Sequence, residues 1–506
     1  MKSDCIIVVM PPMNATMPSP GAEAVRAAAI HNNIKCDIIY HNLSLVTDNL
    51  IDRYSSNFTQ TLPFICLYHR LISKDSEAFD KAFVRLQSSR DETEACTVLH
   101  LESLVNNLNS LASKIADTPV IAFSSKYHQW IAASVMAHLI KERNPSVKIY
   151  LGGQNTKAES EAIAVLCPDI DFFGWGEGEY PFCHTLRHAL DADFHGNART
   201  ITAFHKTPHQ NIADEYLCLD EPMPLQLNEY LQTRGTSDDV VIPIERSRGC
   251  CWNRCSFCFL SQGYKFRIKR NDILLYEIEH YINKYGIFKF QFLDNDIVCG
   301  NTVEFGLLLD ELIVLRKKYP RLCFTMAEIC PSGITASMVR KLALAGFRSI
   351  QIGLETLSQK VMHKFRKKQS LEENISFIRE AVKHGIKLMG LNIIINYPDE
   401  EIDDIETNMK NLDLIKDLIA DGSIEIHMPP LMVAHYSRYM KMAEDMNLED
   451  EFTHNEYYRY IHNKNITGYN RFDVFQFSSP SMRNEKQWRA FYSEFRNPSS
   501  KNSETN

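Results

Sequence analysis

Two series of short apolar runs, each alternating with helical stretches, constrain the fold of this 506-residue chain more than any other feature. The first series has apolar runs at 5–10, 36–40, 120–123, 147–151 and 171–175, with helical patterns such as 22–31 and 131–140 between them. Continuous apolar strands separated by helices predict a parallel sheet that is covered on both faces. We therefore expect a doubly wound α/β domain over residues 1–192, with a helical insertion at about 44–116.

The second series predicts a different arrangement of strands and helices. Its strand candidates are 240–244, 288–294, 323–329, 349–354, 388–395 and 424–428, separated by helical stretches such as 274–285, 303–317, 336–345 and 371–384. Six such units predict a partial (β/α)6 barrel over 240–431, with its chemistry at the carboxyl ends of the strands. The polar stretch 193–239 is predicted to be a linker, and the aromatic-rich stretch 432–506 a small C-terminal closing domain.

Composition excludes several classes of protein. The net charge of −8 argues against a nucleic-acid partner. No apolar stretch approaches the length of about 18 residues that a membrane helix needs, and the first residues lack the order of a signal peptide. Fourteen cysteines in a chain of this length fit reduced thiols and a metal cluster better than a disulfide framework. We expect a cytoplasmic protein with no membrane contact.

Three cysteines follow the first predicted barrel strand. Cys251, Cys255 and Cys258 have the spacing C-x3-C-x2-C, so their thiolates can ligate three irons of a [4Fe-4S] cluster and leave the fourth iron open. A zinc site would usually need a second Cys or His pair, and none follows nearby. The adjacent Cys250 would give an x4 spacing to Cys255. The x3 spacing favours Cys251, which leaves Cys250 as a buried thiol or a neighbour of the ligands.

An open iron is typical of chemistry in which S-adenosylmethionine (SAM) chelates that iron and an electron from the cluster cleaves the sulfonium. Side chains two residues apart on a strand lie on the same face of the sheet. Polar side chains that share one face of several buried strands lose stabilising contact with water, unless a polar ligand binds them. On the strands and at their ends, the candidate SAM contacts are Asp294, Asn295, Glu328, Gln351, Glu355, Asn392 and Pro429. Phe257, the aromatic residue just before the last cysteine, is a further candidate. Asp294 and Asn295 are acceptors suited to the amino group, and Glu355 is suited to the ribose or to a charged part of SAM.

Cys330 is the candidate catalytic residue. It shares strand parity with Glu328, so both side chains are expected to face inward at the end of the third strand. A thiol at a radical site can return a hydrogen atom to a carbon radical, because an S–H bond is weaker than most C–H bonds. The other interpretation is that Cys330 is a small buried apolar residue. Cys299 is a less favoured candidate for the same role.

The chain resembles radical SAM enzymes that carry an amino-terminal cobalamin-binding-type domain. The stretches 18–23, 152–155 and 176–179 are similar to that first domain, and 247–258, 351–355 and 396–400 are similar to the barrel. Within this group the chain looks closest to enzymes that modify ribosomally made peptides. The resemblance implies a [4Fe-4S] cluster, SAM, a precursor peptide, and a low-potential electron donor such as flavodoxin or ferredoxin.

Two branches of the group differ in chemistry. Peptide epimerases of the proteusin type abstract a Cα hydrogen and return one from a cysteine, a role that Cys330 would fill. Cobalamin-dependent methyltransferases use one SAM for the radical and another for the methyl group. Because the chain lacks a D-x-H-x-x-G motif for a histidine cobalt ligand and contains Cys330, we predict an epimerase. C-methylation of a peptide with bound cobalamin is the alternative, and a non-catalytic peptide-binding relative is a third hypothesis.

Overall fold

The computed structural model describes residues 3–126, 128–191, 200–202, 216–235, 237, 239–434, 437–445, 453–454, 456–462, 466–475, 477–478 and 484–496. The chain divides into two compact units, of which unit 1 comprises 1–240, 262–264 and 454–475, and unit 2 comprises 241–261, 265–453 and 476–506. The stretch predicted to be a C-terminal closing domain, 432–506, is therefore divided between the two units. Much of the predicted linker, 193–239, lies outside the described residues.

Unit 1 contains a doubly wound α/β sheet. Its elements are β1 (Cys5–Val8), α1 (Pro20–His31), β2 (Cys36–Ile39), α2 (His41–Thr47), α3 (Asn57–Tyr68), a π-helical turn (His69–Ser73), α4 (Ser76–Arg90), α5 (Glu94–Ile115), β3 (Val120–Ser124), α6 (Gln129–Arg143), β4 (Lys148–Gln154), α7 (Lys157–Leu166), β5 (Phe172–Trp175), α8 (Glu179–Leu190), β6 (Thr200–Thr202), α9 (Asn228–Arg234) and, from the C-terminal segment, α18 (Glu456–Ile461) and α19 (Arg471–Val474). The described strands form one sheet in the order β2-β1-β3-β4-β5-β6, with only β6 antiparallel to its neighbour. Helices α2 to α5 lie between β2 and β3 in the chain, where the helical insertion is predicted.

The central strands of this sheet are buried on both faces. Ile121 and Ala122 are adjacent on β3 and point to opposite faces, yet both are almost fully buried. Burial on both faces is what a sheet with helices on each side requires. The apolar runs of the sequence therefore form the core of unit 1.

Unit 2 contains a partial barrel of parallel strands. Its elements are β7 (Ile242–Ile244), β8 (Ser247–Arg248), β9 (Arg267–Ile268), α10 (Asn271–Tyr285), β10 (Lys289–Phe292), α11 (Thr302–Lys318), β11 (Cys323–Ile329), α12 (Ala336–Ala345), β12 (Ser349–Ile352), α13 (Gln359–Lys364), α14 (Leu371–Lys383), β13 (Lys387–Met389), β14 (Leu391–Asn392), α15 (Ile402–Leu412), α16 (Lys416–Ala420), β15 (Ile426–His427), β16 (Met432–Val433), α17 (Arg438–Asp445), β18 (Phe477–Ser478) and α20 (Glu485–Arg496), while β17 (Thr453–His454) spans the unit boundary. In the described residues, five parallel strands pair in the order β13-β12-β11-β10-β7, and β14 pairs in parallel with β15. The predicted α/β architecture of a doubly wound sheet and a partial barrel is confirmed in these two units.

The fifth predicted barrel strand, 388–395, is not continuous. It forms the two short strands β13 and β14, separated by Gly390, which has a φ of 58°. A Cβ at this glycine would lie 3.0 Å from Oε1 of Gln351. The strand therefore bends where the Gln351 side chain packs, and single bridges, Glu355 to Ile393 and Ile395 to Pro430, continue the parallel pairing beyond the bend.

Side-chain caps determine where several barrel helices begin. Asn301 caps α11, Thr335 caps α12, and Ser370 forms a capping box with Glu373 at the start of α14. These caps fix the lengths of the loops that follow the strands and carry the candidate site. None of the described helices is both long enough and apolar enough to span a membrane.

Candidate active site

The cysteine-bearing loop follows β8 and is fixed by backbone contacts within unit 2. Gly249 opens the loop with a φ of 76°, and a Cβ there would come within 3.1 Å of the Phe266 backbone nitrogen. The Ser256 amide donates to the carbonyl of Phe365, and the Ser256 carbonyl accepts from the Tyr439 amide. The indole of Trp252 donates to the Arg366 carbonyl over 2.7 Å. The loop is therefore held against the chain that follows α13.

The loop carries four thiols, all of them half-buried, on Cys250, Cys251, Cys255 and Cys258. Burial raises the pKa of Cys255 to about 12 and also raises the pKa of Cys258. A hydrogen bond between the adjacent thiols lowers the pKa of Cys250 to about 6 and raises the pKa of Cys251. Because metals bind thiolates, loading of this loop with iron must release thiol protons.

The donor chemistry of this loop fits an iron–sulfur cluster. Among the residues that the structure describes, no three His, Cys, Asp or Glu side chains are already gathered closely enough to hold a single metal ion. The thiols nevertheless lie on one loop, and both Cys255 and Cys258 are within electrostatic range of Cys250. Thiolates are the ordinary protein ligands of [4Fe-4S] clusters. Three of these four thiols would hold such a cluster.

Asp294 and Asp296, at the end of β10, are both buried. The carboxylate of Asp294 accepts from the backbone amides of Arg246 and Ser247 and from the Ser247 hydroxyl, and burial raises its pKa to about 6. Asp296 accepts from the backbone amide of Cys330 over 3.0 Å and lies 3.8 Å from the Cys251 thiol. Asp294 therefore fixes the chain just before the cysteine loop through these hydrogen bonds. Its contact with the SAM amino group stays a prediction.

Glu328 and Glu355 face one buried lysine. Burial and, to a smaller extent, the neighbouring carboxylate of Glu355 raise the pKa of Glu328 to about 7. Burial also raises the pKa of Glu355, which stands at a φ of 61°. The Lys367 ammonium, which lies 3.9 Å from Oε1 of Glu355, partly offsets these shifts because it lowers the pKa of both carboxyl groups. The arrangement is a small buried charge cluster at the carboxyl ends of β11 and β12.

The remaining predicted SAM contacts are all half-buried residues of unit 2. Phe257 packs edge-on against Phe365, with ring centroids 5.4 Å apart, and the Lys367 ammonium lies 5.8 Å from the centroid of its ring. Gln351 lies on β12 beside Gly390, and Asn392 pairs with His427 in the β14–β15 ladder. The carbonyl of Pro429 accepts from the Ile395 amide, and Asn295 lies between the two buried aspartates. Their contacts with SAM stay predictions.

Cys330 follows β11 directly. Its thiol lies 3.5 Å from Oε1 of Gln369, and burial raises the pKa of this thiol to about 11. Cys299, the other candidate, is buried, and its thiol faces the backbone carbonyls of Asp296 and Ile297. Of these two thiols, Cys330 is the more exposed, and each has a polar side-chain partner, Gln369 for Cys330 and Ser247 for Cys299.

Sequence reasoning missed the segment Lys367-Lys368-Gln369, which follows α13. Lys367 lies beside Phe257 and Glu355, Nζ of Lys368 is 3.5 Å from the Cβ position of Gly300, and Gln369 contacts Cys330. Gln369 is also buried and donates to the Gly353 carbonyl. The sequence does contain a signal for this segment, the run of three cations at 366–368. Three adjacent cations in a loop at the carboxyl edge of the barrel indicate contact with negatively charged groups of the site.

The carboxyl edge of the unit 1 sheet carries a tightly packed glycine and a buried polar side chain. Gly153 has a φ of 108°, and a Cβ there would lie 2.2 Å from the Ser125 carbonyl oxygen. The next residue, Gln154, is 2% exposed, and its Oε1 has no hydrogen-bond partner in the described part of the chain. A buried acceptor without a partner is unusual unless a ligand satisfies it. Because ligands of doubly wound sheets bind at this edge, the site fits a ligand rich in amide donors, such as cobalamin.

A match to a known protein family agrees with the cluster and SAM chemistry inferred for the barrel. Residues 244–412 match the Radical SAM superfamily model, so this part of unit 2 corresponds to a radical SAM domain. A radical SAM domain implies a [4Fe-4S] cluster and SAM as cofactors. The radical SAM prediction that was based on the cysteine spacing is therefore confirmed for residues 244–412.

Known proteins extend the likeness to unit 1. The chain is 23% identical over 309 residues to an uncharacterized methyltransferase, PH0819, of Pyrococcus horikoshii, a match that covers 58% of this chain and 64% of that protein. It superposes on the radical SAM methyltransferase TsrM of Kitasatospora setae, solved with cobalamin and a [4Fe-4S] cluster, with a TM-score of 0.64 and 12% identity over 97% of this chain and 91% of that chain. For the cobalamin-dependent radical enzyme OxsB, solved with aqua-cobalamin and SAM, the TM-score is 0.65 at 13% identity, over 97% of this chain and 66% of that chain. The chain spans just under two thirds of the lengths of PH0819 and OxsB, and at these identities the structural likeness establishes the fold.

Proposed function

We propose that the protein is a cobalamin-dependent radical SAM methyltransferase, the alternative in the sequence interpretation. The observation that carries this proposal is the likeness over 97% of the chain to TsrM, a methyltransferase solved with cobalamin bound. The relative PH0819 also bears the name of a methyltransferase. Neither comparison favours the peptide epimerases to which the sequence interpretation gave preference.

The residues of the chain would have separate roles in this reaction. Thiolates of the cysteine loop would hold the cluster, and Glu355 and Lys367 would offer a carboxylate and an ammonium to the polar groups of SAM. The acceptor of Gln154, at the carboxyl edge of the unit 1 sheet, would help to hold cobalamin. Bound cobalamin would carry the methyl group, and the cluster would supply the electron that cleaves SAM. A ribosomally made peptide is the substrate that we propose, with a flavodoxin or ferredoxin as electron donor.

The products of SAM test the proposal without a known peptide. The full chain, loaded with its cluster under anaerobic conditions, is incubated with SAM, dithionite and hydroxocobalamin. A methyltransferase forms S-adenosylhomocysteine, because the methyl group of one SAM leaves as a cation, and this product requires added hydroxocobalamin. Formation of 5'-deoxyadenosine without S-adenosylhomocysteine, with or without hydroxocobalamin, contradicts methyl transfer. Cys255→Ala is the matched control, since it removes a cluster ligand and should abolish deoxyadenosine formation.

The half-buried thiol of Cys330 favours epimerisation as a second candidate function. Its neighbours Asp296, Gln369 and Lys367 belong to the polar end of the barrel. An epimerase needs such a thiol to return a hydrogen atom, whereas methyl transfer does not. For any peptide that the enzyme accepts in deuterated water, an epimerase adds one deuterium at each modified Cα, whereas a methyltransferase adds a methyl group. Mass spectrometry of the peptide therefore distinguishes the two functions.

A further inference from the structure

A single carboxylate, that of Glu400, joins the loop after β14 to the C-terminal helix α20. Its Oε1 accepts a hydrogen bond from the backbone amide of Asn396 over 2.7 Å. Its Oε2 accepts from Nε1 of Trp488 and from Nδ2 of Asn484, each over 3.0 Å. One oxygen therefore holds the loop and the other holds the helix, so Glu400 ties the position of the loop to that of α20.

The turn at Asn396 needs support of this kind. Asn396 is 4% exposed and has a φ of 61°, a left-handed backbone that is costly for a residue with a side chain. Such strained residues persist where the surrounding contacts hold them, and they are frequent at functional sites. The amide of the preceding residue, Ile395, donates to the carbonyl of Pro429 over 3.1 Å. The turn therefore also fixes Pro429, one of the predicted SAM contacts at the carboxyl end of the barrel.

The buried face of α20 presents its donor to this carboxylate. Trp488 and Phe491 lie one turn apart and are almost fully buried, with ring centroids 5.5 Å apart. A buried indole N–H usually finds an acceptor, and a charged acceptor gives a stronger hydrogen bond than a neutral one. The helix lies outside residues 244–412, which match the superfamily model. Its contact with Glu400 therefore adds a support for the barrel from beyond that stretch.

A second C-terminal element holds the neighbouring residue of the same loop. The hydroxyl of Tyr439, in α17, donates to the Asp399 carboxylate over 3.0 Å. The Tyr439 amide donates to the carbonyl of Ser256 in the cysteine-bearing loop. The loop after β14 is therefore held at two successive carboxylates, and one of these supports also contacts the loop that carries the cluster cysteines.

We propose that Trp488 and Asn484 are positioning residues of the SAM site. Through Glu400 they hold the Asn396 turn, and Pro429 beside it, in the geometry that binds SAM. The inference rests on the proposed function only in that the barrel binds SAM, and it holds for methyl transfer and for epimerisation alike. Helix α20 acts through the loop and makes no bond to SAM itself.

SAM binding tests this assignment without any turnover. The cluster-loaded full chain is dialysed to equilibrium with SAM under anaerobic conditions and without a reductant, so that SAM is not cleaved. Trp488→Phe keeps an aromatic ring but removes one donor to Glu400, and Asn484→Leu removes the other donor at similar volume. Each should raise the dissociation constant of SAM by about tenfold, as loss of a supporting hydrogen bond behind a binding residue commonly does. The iron and sulfide content per chain should stay at the level of the unaltered protein.

Two further variants distinguish positioning through Glu400 from a general effect on packing. Phe491→Leu is the matched control, because it alters the packing of the same helix and keeps both donors, so SAM binding should stay unchanged. In the double variant Trp488→Phe/Glu400→Gln, SAM should bind no more weakly than in the weaker of the two single variants.

Three results would overturn the proposal. They are unchanged SAM binding by both Trp488→Phe and Asn484→Leu, an equal loss of SAM binding in Phe491→Leu, and additive losses in the double variant. Because dialysis requires no methyl transfer, an absence of S-adenosylhomocysteine would contradict the proposed function and leave this measurement unaffected.

Discussion

Nζ of Lys367 lies 3.9 Å from Oε1 of Glu355, and their side chains are only 8% and 15% exposed. Glu328 adds a second carboxylate close to the same ammonium. Removal of one partner from a buried ion pair leaves the other charge without compensation. The stability of this end of the barrel therefore depends on a single lysine that lies outside any regular element.

Lys367→Ala should destabilise the chain more than Lys318→Ala does. Loss of the Lys367 ammonium leaves Glu355 and Glu328 facing each other in a buried site, at an expected cost of about 3–5 kcal/mol. Lys318 is an exposed lysine that pairs with Glu279 on the surface, so its loss should cost less. Urea unfolding of the cluster-free chains gives both values. Equal losses would mean that the Lys367 cluster contributes no special stability.

Cys330→Ala should leave the formation of S-adenosylhomocysteine intact if the protein is a methyltransferase. The contact of Cys330 with Asp296 is made by its backbone amide, so the substitution keeps that hydrogen bond. Product analysis by liquid chromatography measures the outcome, with Cys299→Ala as the matched thiol control. If the protein is an epimerase, Cys330→Ala should still cleave SAM but should no longer form D-residues in a peptide that the enzyme accepts.

Glu328→Gln should reduce the dependence of stability on pH between about 4.5 and 7. Burial raises the pKa of Glu328 from its ordinary value of 4.5 to about 7 in the folded chain. The folded state therefore binds this proton more tightly than the unfolded state, so the contribution is full below pH 4.5 and is lost as the pH rises through 7. The loss amounts to at most about 3 kcal/mol. Urea unfolding across this range is the measurement, and Glu311→Gln, at an exposed residue of α11, should leave the slope unchanged.

Gly153→Ala should disrupt unit 1 while the cluster in unit 2 remains. A Cβ at Gly153 would lie 2.2 Å from the Ser125 carbonyl oxygen, and the φ of 108° adds strain. We expect a loss of about 2–4 kcal/mol and weaker retention of hydroxocobalamin, measured by unfolding and by visible absorption. Gly235→Ala is the matched control, because Gly235 also has a positive φ, 79°, but no atom lies within 4 Å of its Cβ position. Unchanged cobalamin retention in Gly153→Ala would exclude this edge as the binding site.

The sequence predicts the architecture better than the details of the site. The strand predicted at 323–329 coincides with β11, because its apolar residues and flanking turn signals are local features. The break at Gly390 was not predicted, because it depends on the packing of Gln351 from a neighbouring strand. Asp294 illustrates the same limit, since its amide donors, Arg246 and Ser247, are distant in sequence. Lys367 was missed because no periodic pattern marks a loop residue.

The hydrogen bonds from Ser256 and Trp252 to the carbonyls of Phe365 and Arg366 join the cysteine loop to the chain that carries Lys367. The thiols and the lysine therefore shift as one body when α13 shifts. A substitution on the buried face of α13, at Met362 for example, would therefore move the cation and the cysteine loop together. Such a change would alter how SAM is presented to the cluster and leave the electronic properties of the cluster almost intact.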